Sequence, residues 1–188
     1  MLLNNKLPNA SNEEDRDGKG IEVFEVFNSY AEYLGNWLRQ LFGESEGKED
    51  KGIYPSLLLF NRDLHSVGQF LQEGSKVFFE TMIFLGDADP NTVLIIPENS
   101  LVPNLAGKTL AAICRGVEQG VLIAHSQDSI PLITIAIPEI NPENVGSLMY
   151  FFLVQSAVSA LMLGVNPFDQ PGVEKYKREV RKLLGIEE

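Results

Sequence analysis

Residues 166–177, which read NPFDQPGVEKYK, are the most constrained stretch of this 188-residue chain. Two prolines and a glycine in so short a span restrict the backbone to a turn. The turn leads into a helix, because Pro171 suits a first helical position and Glu174 lies where the helix dipole favours an anion. Gln170 offers a neutral donor and acceptor, and Lys177 offers a mobile ammonium group that binds an anion or moves a proton. The stretch therefore predicts a turn, a terminal helix and two candidate ligand-binding side chains.

The composition is that of a globular protein with an acidic surface. Hydrophobic residues make up 44% and charged residues 22% of the chain, and the length suffices for one sizeable core. Fifteen Lys and Arg against 26 Asp and Glu give a formal net charge of -11. Such a surface repels phosphate backbones, and no cluster of basic residues offsets it, so we expect no nucleic-acid partner.

The single cysteine and the apolar runs indicate the cellular compartment in which the protein resides. A single cysteine, Cys114, excludes a disulfide within the chain and suits a reducing environment. The first residues hold no apolar run of signal-peptide length. The longest apolar run, residues 148–163, is interrupted by Gln155, Ser156 and Ser159 and is shorter than a membrane span, which favours a buried helix. We therefore expect a cytoplasmic protein with no membrane segment.

Residues 1–20 are polar, and we interpret them as a loosely attached arm. After them, the spacing of hydrophobic residues alternates between strand and helix patterns. Strand patterns occupy residues 21–27, 57–60, 77–84, 93–96 and 131–137, and helical patterns occupy residues 29–43, 61–74, 104–120, 141–163 and 172–184. This alternation is typical of a three-layer α/β/α sandwich with a mainly parallel sheet. Residues 21–188 are therefore predicted to form one domain that ends in a helix.

Several local features follow from the same patterns. Acidic residues alternate with apolar ones in residues 21–27, which predicts a strand with one wetter face. Ser29 is the expected N-cap of the next helix, and residues 43–52 are predicted to form a polar loop after it. In the helical pattern of residues 104–120, the expected inner face consists of Leu105, Leu110, Ile113 and Val117.

Residues 168–177 resemble the C-terminal signature of the glucose-6-phosphate isomerase (phosphoglucose isomerase) family. The signature is an aromatic residue, Asp, Gln, any residue, Gly-Val-Glu, two residues and Lys, and this stretch fits every position. Family members are built from two sugar-isomerase (SIS) domains, which are α/β/α sandwiches. The resemblance therefore implies that fold here. It also implies a cofactor-free aldose-ketose isomerase of glycolysis and gluconeogenesis that interconverts glucose 6-phosphate and fructose 6-phosphate.

Two further stretches resemble segments of the same family. Residues 43–48, GESEGK, are similar to the segment that carries the catalytic base, and the matching base is Glu44. From the residues alone Glu44 ranks no higher than Glu46, because an acidic side chain in a glycine-flanked loop is commonly just solvated. Residues 63–74, DLHSVGQFLQEG, are similar to the bacterial segment that carries a histidine, which here is His65.

The resemblance implies one role for each of four residues. Glu44 would carry a proton between C2 and C1 of the sugar through an enediol, as a carboxylate with a raised pKa is able to do. His65 would assist ring opening and, in the family, often reaches the site from the neighbouring subunit. Lys177 would hold or protonate the ring oxygen, and Gln170 would position the substrate.

The remaining candidates have simpler interpretations. His125 matches no catalytic position of the family and is expected to be structural. Two histidines without an acidic partner at ligand spacing predict no metal site. Cys114 lies in an apolar helical pattern and is expected to be a buried, inert thiol. Without the resemblance, Lys177 would be an ordinary surface lysine and His65 a structural hydrogen-bonding residue.

The resemblance covers this chain from about residue 21 to its end but spans less than half of a usual family member. The family's first SIS domain, with its Ser/Thr-rich phosphate loop and Gly-Gly-Arg segment, has no counterpart here. Within the matched part, Asn61 and Arg62 replace small hydroxyl residues, and residues 126–129 replace a glycine-containing turn.

Two functions remain open from the sequence. The chain is the C-terminal part of an isomerase that acts as a homodimer or with an N-terminal half, or it is a non-catalytic module for sugar-phosphate binding or dimerisation. The presence of all four site residues favours the isomerase.

Overall fold

The computed structural model describes residues 19–86, 93–128 and 130–186. Most of the predicted N-terminal arm, residues 1–18, lies outside this part of the chain. Gly20 already belongs to the sheet region, because its N–H donates to the Val77 carbonyl at 3.0 Å and its carbonyl accepts from the Tyr54 N–H at 2.9 Å.

Strands and helices alternate along the described residues. The strands are β1 (Ile21–Val26), β2 (Tyr54–Leu59), β3 (Phe78–Leu85) and β4 (Leu132–Ile137). The helices are α1 (Glu32–Glu46), α2 (Phe60–Asp63), α3 (Gly68–Glu73), α4 (Leu110–Gln127), α5 (Pro142–Met162) and α6 (Pro171–Leu183). The four strands pair in parallel in the order β2-β1-β3-β4. The predicted α/β sandwich is thus confirmed.

The sheet separates two apolar cores, as the alternation of side chains along β1 demonstrates. Phe24 and Val26 pack in a cluster with α1 and α5, whereas Val23 packs in a second cluster with α3 and α4. Because successive side chains of a strand point to opposite faces, each cluster lies between the sheet and one layer of helices.

The prediction of a wetter face on the first strand is wrong. Glu22 and Glu25 are 6% and 0% exposed, so β1 is buried on both faces. The cause is its central position in a parallel sheet that helices cover on both sides. An alternating pattern normally signals a half-exposed strand, but here the acidic residues are enclosed with the apolar ones.

The first helix also differs from the prediction at both ends. Ser29 opens a short 3-10 turn, Ser29–Ala31, and the N-cap position of α1 is Ala31, which provides no side-chain bond. At the other end α1 continues through Gly43 to Glu46. The supposed polar loop therefore begins as a final helical turn, and this turn carries Glu44.

Two predictions between β3 and β4 are wrong. Residues 93–96 form no strand within the described chain: Ile95 makes a single bridge to Thr109, and residues 93–95 are exposed. The following helix begins later than expected, after Thr109, whose hydroxyl accepts the Ala112 N–H at 3.1 Å. This capping bond explains the later start.

The predicted inner face of this helix is wrong as well. Leu110 and Val117 are exposed, and α4 instead buries Val121 and His125 nearer its C-terminus.

Helix α5 is apolar around its whole circumference but is buried along one stripe only. The buried residues are spaced four apart, at Leu148, Phe152, Ser156 and Ala160. The exposed apolar residues are Met149, Tyr150, Phe151, Leu153, Val154, Val158, Leu161 and Met162. The expectation of a buried helix is therefore correct for one side alone. By length and composition α5 could also cross a membrane, yet its inner stripe packs in the core with α1 and β1. We name the exposed side the α5 apolar surface.

Glu22 gives the stability of this fold a dependence on pH. Its Oε1 accepts the Thr81 hydroxyl at 2.6 Å. Burial raises the pKa of Glu22 from 4.5 to about 7 against the lowering effect of that hydrogen bond, and the charge of Glu46 adds to the increase. The folded state therefore holds this proton more tightly than the unfolded state. The resulting stabilisation is complete below about pH 4.5 and is lost as the pH rises through about 7.

We predict that Glu22→Gln removes this dependence. Relative to the original chain, the variant should gain free energy of unfolding between pH 5 and pH 8, by up to about 3 kcal/mol. Urea denaturation followed by circular dichroism at several pH values measures the difference. Glu98→Gln, at an exposed carboxylate, is the matched control. Parallel pH profiles for the original chain and Glu22→Gln would contradict the assignment.

Candidate functional site

Glu44 and Gln170 meet although 126 positions separate them in the chain. Glu44 lies on the last turn of α1, and Gln170 immediately precedes α6. The Gln170 amide donates to Glu44 Oε2 at 2.7 Å, and the Gln40 amide donates to Glu44 Oε1 at 3.0 Å. Two neutral donors thus orient both carboxylate oxygens and leave lone pairs for a further partner.

The two acidic residues of this segment have different environments. Glu46 is 2% exposed, and its Oε2 accepts the Ile53 N–H at 3.4 Å. Glu44 is half-buried, and the two residues that contact its carboxylate, Gln40 and Gln170, are exposed. Of the pair that the sequence left unranked, Glu44 is the one that is accessible from solvent, and Glu46 contacts the chain leading into β2.

Lys48 links its own segment, residues 43–48, to the turn at residues 166–170. Its ammonium group donates to the carbonyl oxygens of Ser45 and Asn166 and lies 3.5 Å from Asp169 Oδ1. The side chain is only 6% exposed, so these contacts satisfy a charge that is largely removed from water. Sequence reasoning assigned no role to Lys48. The only available signal was its place at the end of the glycine-flanked motif.

The 166–170 turn, which contacts Lys48, is held by the end of α5 before it and by a hydrogen bond within it. Gly164 has φ 72°, and the Val165 N–H donates to the Ala160 carbonyl at 3.0 Å, which is the pattern of a Schellman helix end. Beyond it, Asn166 Oδ1 accepts the Phe168 N–H at 3.0 Å. The end of α5 and the Asn166 side chain together hold this turn against the end of α1.

Lys177 lies on the exposed surface of α6. Its ammonium donates to Glu174 Oε1 at 2.8 Å. The Glu174 carboxylate raises the pKa of Lys177, and Lys177 lowers the pKa of Glu174, in both cases through this hydrogen bond first. Lys177 is therefore a cation at neutral pH, suited to holding an anion or an oxygen. Among the described residues no hydrogen bond links it to Glu44 or Gln170.

His65 lies in the exposed turn between α2 and α3. Asp63 organises this turn, since its Oδ2 accepts the Leu59 N–H at 2.9 Å and its Oδ1 accepts Arg62 Nε at 2.8 Å. The Arg62 guanidinium lowers the pKa of Asp63. No hydrogen bond connects His65 with Glu44 or Gln170 in the part of the chain that the structure describes.

Glu44 and His65 lie at opposite ends of the parallel strands, since Glu44 is near the start of β2 and His65 follows its end. Arg62 Nη1 lies 3.2 Å from Glu32 Oε1, which fixes the His65 turn near the N-terminus of α1. Glu44 follows Glu32 by twelve positions (44 − 32) in α1, so it lies about 18 Å further along the helix axis. One chain therefore assembles the Glu44–Gln170 pair but separates it from His65.

His125 departs from the prediction in one respect. The expectation that neither histidine has an acidic partner is wrong, because His125 Nδ1 lies 2.7 Å from Glu80 Oε2 in the core. The two residues are 45 positions apart, and the fold alone brings them together.

Comparison with known proteins gives a consistent picture. No family model matches the chain. It is 44% identical over 170 residues to the glucose-6-phosphate isomerase of Leptospira interrogans and 44% identical over 174 residues to that of Heliobacterium modesticaldum. It is also 43% identical over 173 residues to that of Caldanaerobacter subterraneus. These alignments cover 89 to 90% of this chain but 38% of each relative. The chain thus spans about two fifths of the length of the curated relatives it matches.

Solved structures with the same architecture support the fold. A hypothetical protein from Thermus thermophilus superposes with a TM-score of 0.82 at 27% identity, over 92% of this chain and 43% of that one. A glucose-6-phosphate isomerase from Chlamydia trachomatis superposes with a TM-score of 0.66 at 19% identity, over 88% of this chain and 34% of that one. At that identity the second likeness concerns the fold alone.

We predict that Lys48→Met detaches the 166–170 turn from α1. Losing the ammonium leaves two carbonyl groups without this donor, and the free energy of unfolding should fall by about 2 kcal/mol. Urea denaturation measures the loss, and amide exchange at Phe168, whose N–H donates to Asn166 Oδ1, should accelerate. Lys51→Met is the control, since Lys51 is an exposed lysine nearby whose ammonium pairs with Glu49. Equal stability of the two variants would contradict the role of Lys48.

Proposed function

We propose that this chain, a relative of the glucose-6-phosphate isomerases over nine tenths of its own length, forms the C-terminal part of such an isomerase. The reaction would interconvert glucose 6-phosphate and fructose 6-phosphate, as a step of glycolysis and gluconeogenesis in the cytoplasm. The observation that carries the proposal is the Glu44–Gln170 pair, in which two family-like motifs meet at 2.7 Å.

The proposed chemistry assigns proton transfer to Glu44. Its carboxylate removes the proton from C2 of the open-chain aldose, the electron pair of the C–H bond forms the C1–C2 double bond, and O1 takes up a proton, which gives the enediol. Glu44 then returns its proton to C1 while the O2 hydroxyl gives up a proton, so the net oxygen-bound proton passes from O2 to O1 and the ketose results. The amides of Gln40 and Gln170 would orient this base, and Gln170 would exchange its bond to Glu44 for one to a substrate hydroxyl. Preorganised donors of this kind stabilise the charge that develops in the transition state.

Ring opening would precede the proton transfer and use cationic or titrating groups. The bond between C1 and the ring oxygen breaks and the C1–O1 carbonyl forms, as a proton leaves the O1 hydroxyl and the ring oxygen receives one. Lys177, kept protonated by Glu174, would hold or protonate the ring oxygen, and His65 would exchange the other proton.

Assembly is required by this proposal for geometric reasons. His65 lies near the N-terminus of α1, about 18 Å along the helix from Glu44, so the histidine of a site would come from a second copy of the chain. The α5 apolar surface offers a contact area for such an assembly. The other three fifths of the relatives' length would supply the grip on the phosphate, which holds a flexible sugar in reactive geometry.

A second candidate is a non-catalytic module for sugar-phosphate binding or dimerisation. The specific observation in its favour is the α5 apolar surface, which suits an interface whether or not the site turns over substrate. Binding of sugar phosphate without isomerisation, in an assembly with an N-terminal part, would identify this alternative.

We predict that Glu44→Gln abolishes isomerisation but not binding. The assay combines this chain with a separately expressed N-terminal part of the Leptospira relative, and the chain alone should show little turnover. In the combined assembly Glu44→Gln should lower kcat by a factor on the order of 10² to 10⁴, with sugar-phosphate affinity largely retained. Glu46→Gln is the matched variant, and it should affect stability more than turnover. Loss of turnover in a folded Glu46→Gln with normal Glu44→Gln would reassign the base.

Mixing two inactive variants tests whether His65 acts across subunits. Assemblies containing only Glu44→Gln or only His65→Ala should be nearly inactive. A dimer with one chain of each kind keeps one site with both native residues, so random mixing should restore about one quarter of the activity. Absence of recovery, with mixed dimers demonstrated by mass spectrometry, would contradict the shared site. Full activity of His65→Ala alone would remove the histidine from the mechanism.

A further inference from the structure

Three residues that the proposed isomerase reaction does not use form a cluster inside the domain. Glu25 is on β1, Glu80 on the neighbouring β3, and His125 on α4. One ligand atom from each residue lies within 4.8 Å of the other two. The side chains of His125 and Glu80 are 2% and 0% exposed, and the whole of Glu25 is 0% exposed. The cluster is therefore separate from the Glu44–Gln170 pair at the end of α1.

The surroundings of the cluster are apolar. By strand alternation Glu25 shares its face with Val23, and Glu80 shares its face with Met82, and both of these belong to the core beneath α4. The Phe60 ring contacts the His125 ring edge-to-face, with centroids 5.9 Å apart. Water is thus replaced on these sides by hydrocarbon, which solvates a carboxylate poorly.

Three of the four carboxylate oxygens lack partners in the described chain that would compensate for this environment, and the fourth, Glu80 Oε2, lies 2.7 Å from His125 Nδ1. Among the described residues no hydrogen bond reaches Glu25 Oε1, Glu25 Oε2 or Glu80 Oε1. Two carboxyl groups in contact in a dry site need either a shared proton or a bound cation.

We propose that Glu25, Glu80 and His125 bind one divalent transition-metal ion of the Zn²⁺ class. Two carboxylates and a neutral imidazole balance the charge of such an ion, so the complete site is neutral inside the core. Zinc accepts nitrogen from His and oxygen from Glu at about 2.0 to 2.2 Å, so ligand atoms within 4.8 Å of one another need only small movements to reach it. Mg²⁺ fits less well, since it prefers six oxygen ligands and retains several waters.

The consequence for the fold is an attachment of α4 to the sheet. In α4 the buried residues are Val121 and His125, so few apolar contacts hold this helix. A metal ion would link His125 to both central strands, β1 and β3. The proposed role is structural, with the second oxygen of Glu25 taking the fourth zinc position, and it stands independently of whether the chain is an isomerase.

Stoichiometric metal retention tests the proposal. The full chain carries Cys114→Ser, which removes its one thiol. It is unfolded in denaturant that contains a chelator and is then refolded with Zn²⁺. Gel filtration removes unbound metal, and elemental analysis measures the zinc that remains bound. We expect about one zinc per chain and a melting temperature that falls when a chelator is added. Refolding with Mg²⁺ should leave no bound metal. Co²⁺ in place of zinc should give a visible absorption band that His125→Gln abolishes.

Matched variants distinguish the cluster from surface binding. Glu25→Gln keeps the side-chain shape and should lower zinc retention at least about tenfold. Glu22→Gln is the control, because Glu22 is an equally buried carboxylate on the opposite face of the same strand. Should Glu25→Gln fail to fold, Glu80→Gln replaces it. Substoichiometric zinc in the original chain, or equal retention by the Glu25 and Glu22 variants, would overturn the proposal and indicate a shared proton instead.

Discussion

The buried ammonium group of Lys48 is the contact on which the candidate site depends. It binds the last turn of α1 to the turn that follows α5, and so joins the chain's two family-like segments. A lysine in this position loses most of its hydration, and two carbonyl oxygens and Asp169 replace it. Because Ser45 belongs to one segment and Asn166 and Asp169 to another far along the chain, the ammonium specifies the relative position of the two segments more narrowly than an apolar contact would. The Glu44–Gln170 hydrogen bond is a result of that alignment.

Much of the fold could be predicted because its signals are local. Apolar runs identified the four observed strands, and the Asn141 and Pro171 positions marked two helix starts within a residue. The failures that concern burial have a common cause, which is that burial depends on distant partners. Glu22 and Glu25 look like the wet side of a strand until helices cover both faces, and residues 93–96 have strand composition but no neighbouring strand in the described chain beyond a bridge.

The candidate site likewise has a part that could be predicted from the sequence and a part that could not. Motif resemblance selected Glu44 and Gln170, which the fold brings into contact, and also selected His65 and Lys177, which it does not link to them by hydrogen bonds. The sequence spacing of the motifs does not reveal that Glu44 and His65 lie far apart. Their separation arises because α1 runs in the opposite direction to β2. Lys48 and the Glu25–Glu80–His125 cluster escaped the sequence for a related reason. Their partners lie tens of residues away, and only a complete topology brings them together.

The α5 apolar surface affects the concentration of folded chain that a cell is able to maintain. Copies that lack a partner for that surface present it to every other apolar surface around them, including chaperones, proteases and each other. Their lifetime is then set by how fast a partner arrives rather than by the stability of the α/β core. The fraction of copies that aggregate or are degraded would therefore rise with the concentration of chains that have no partner.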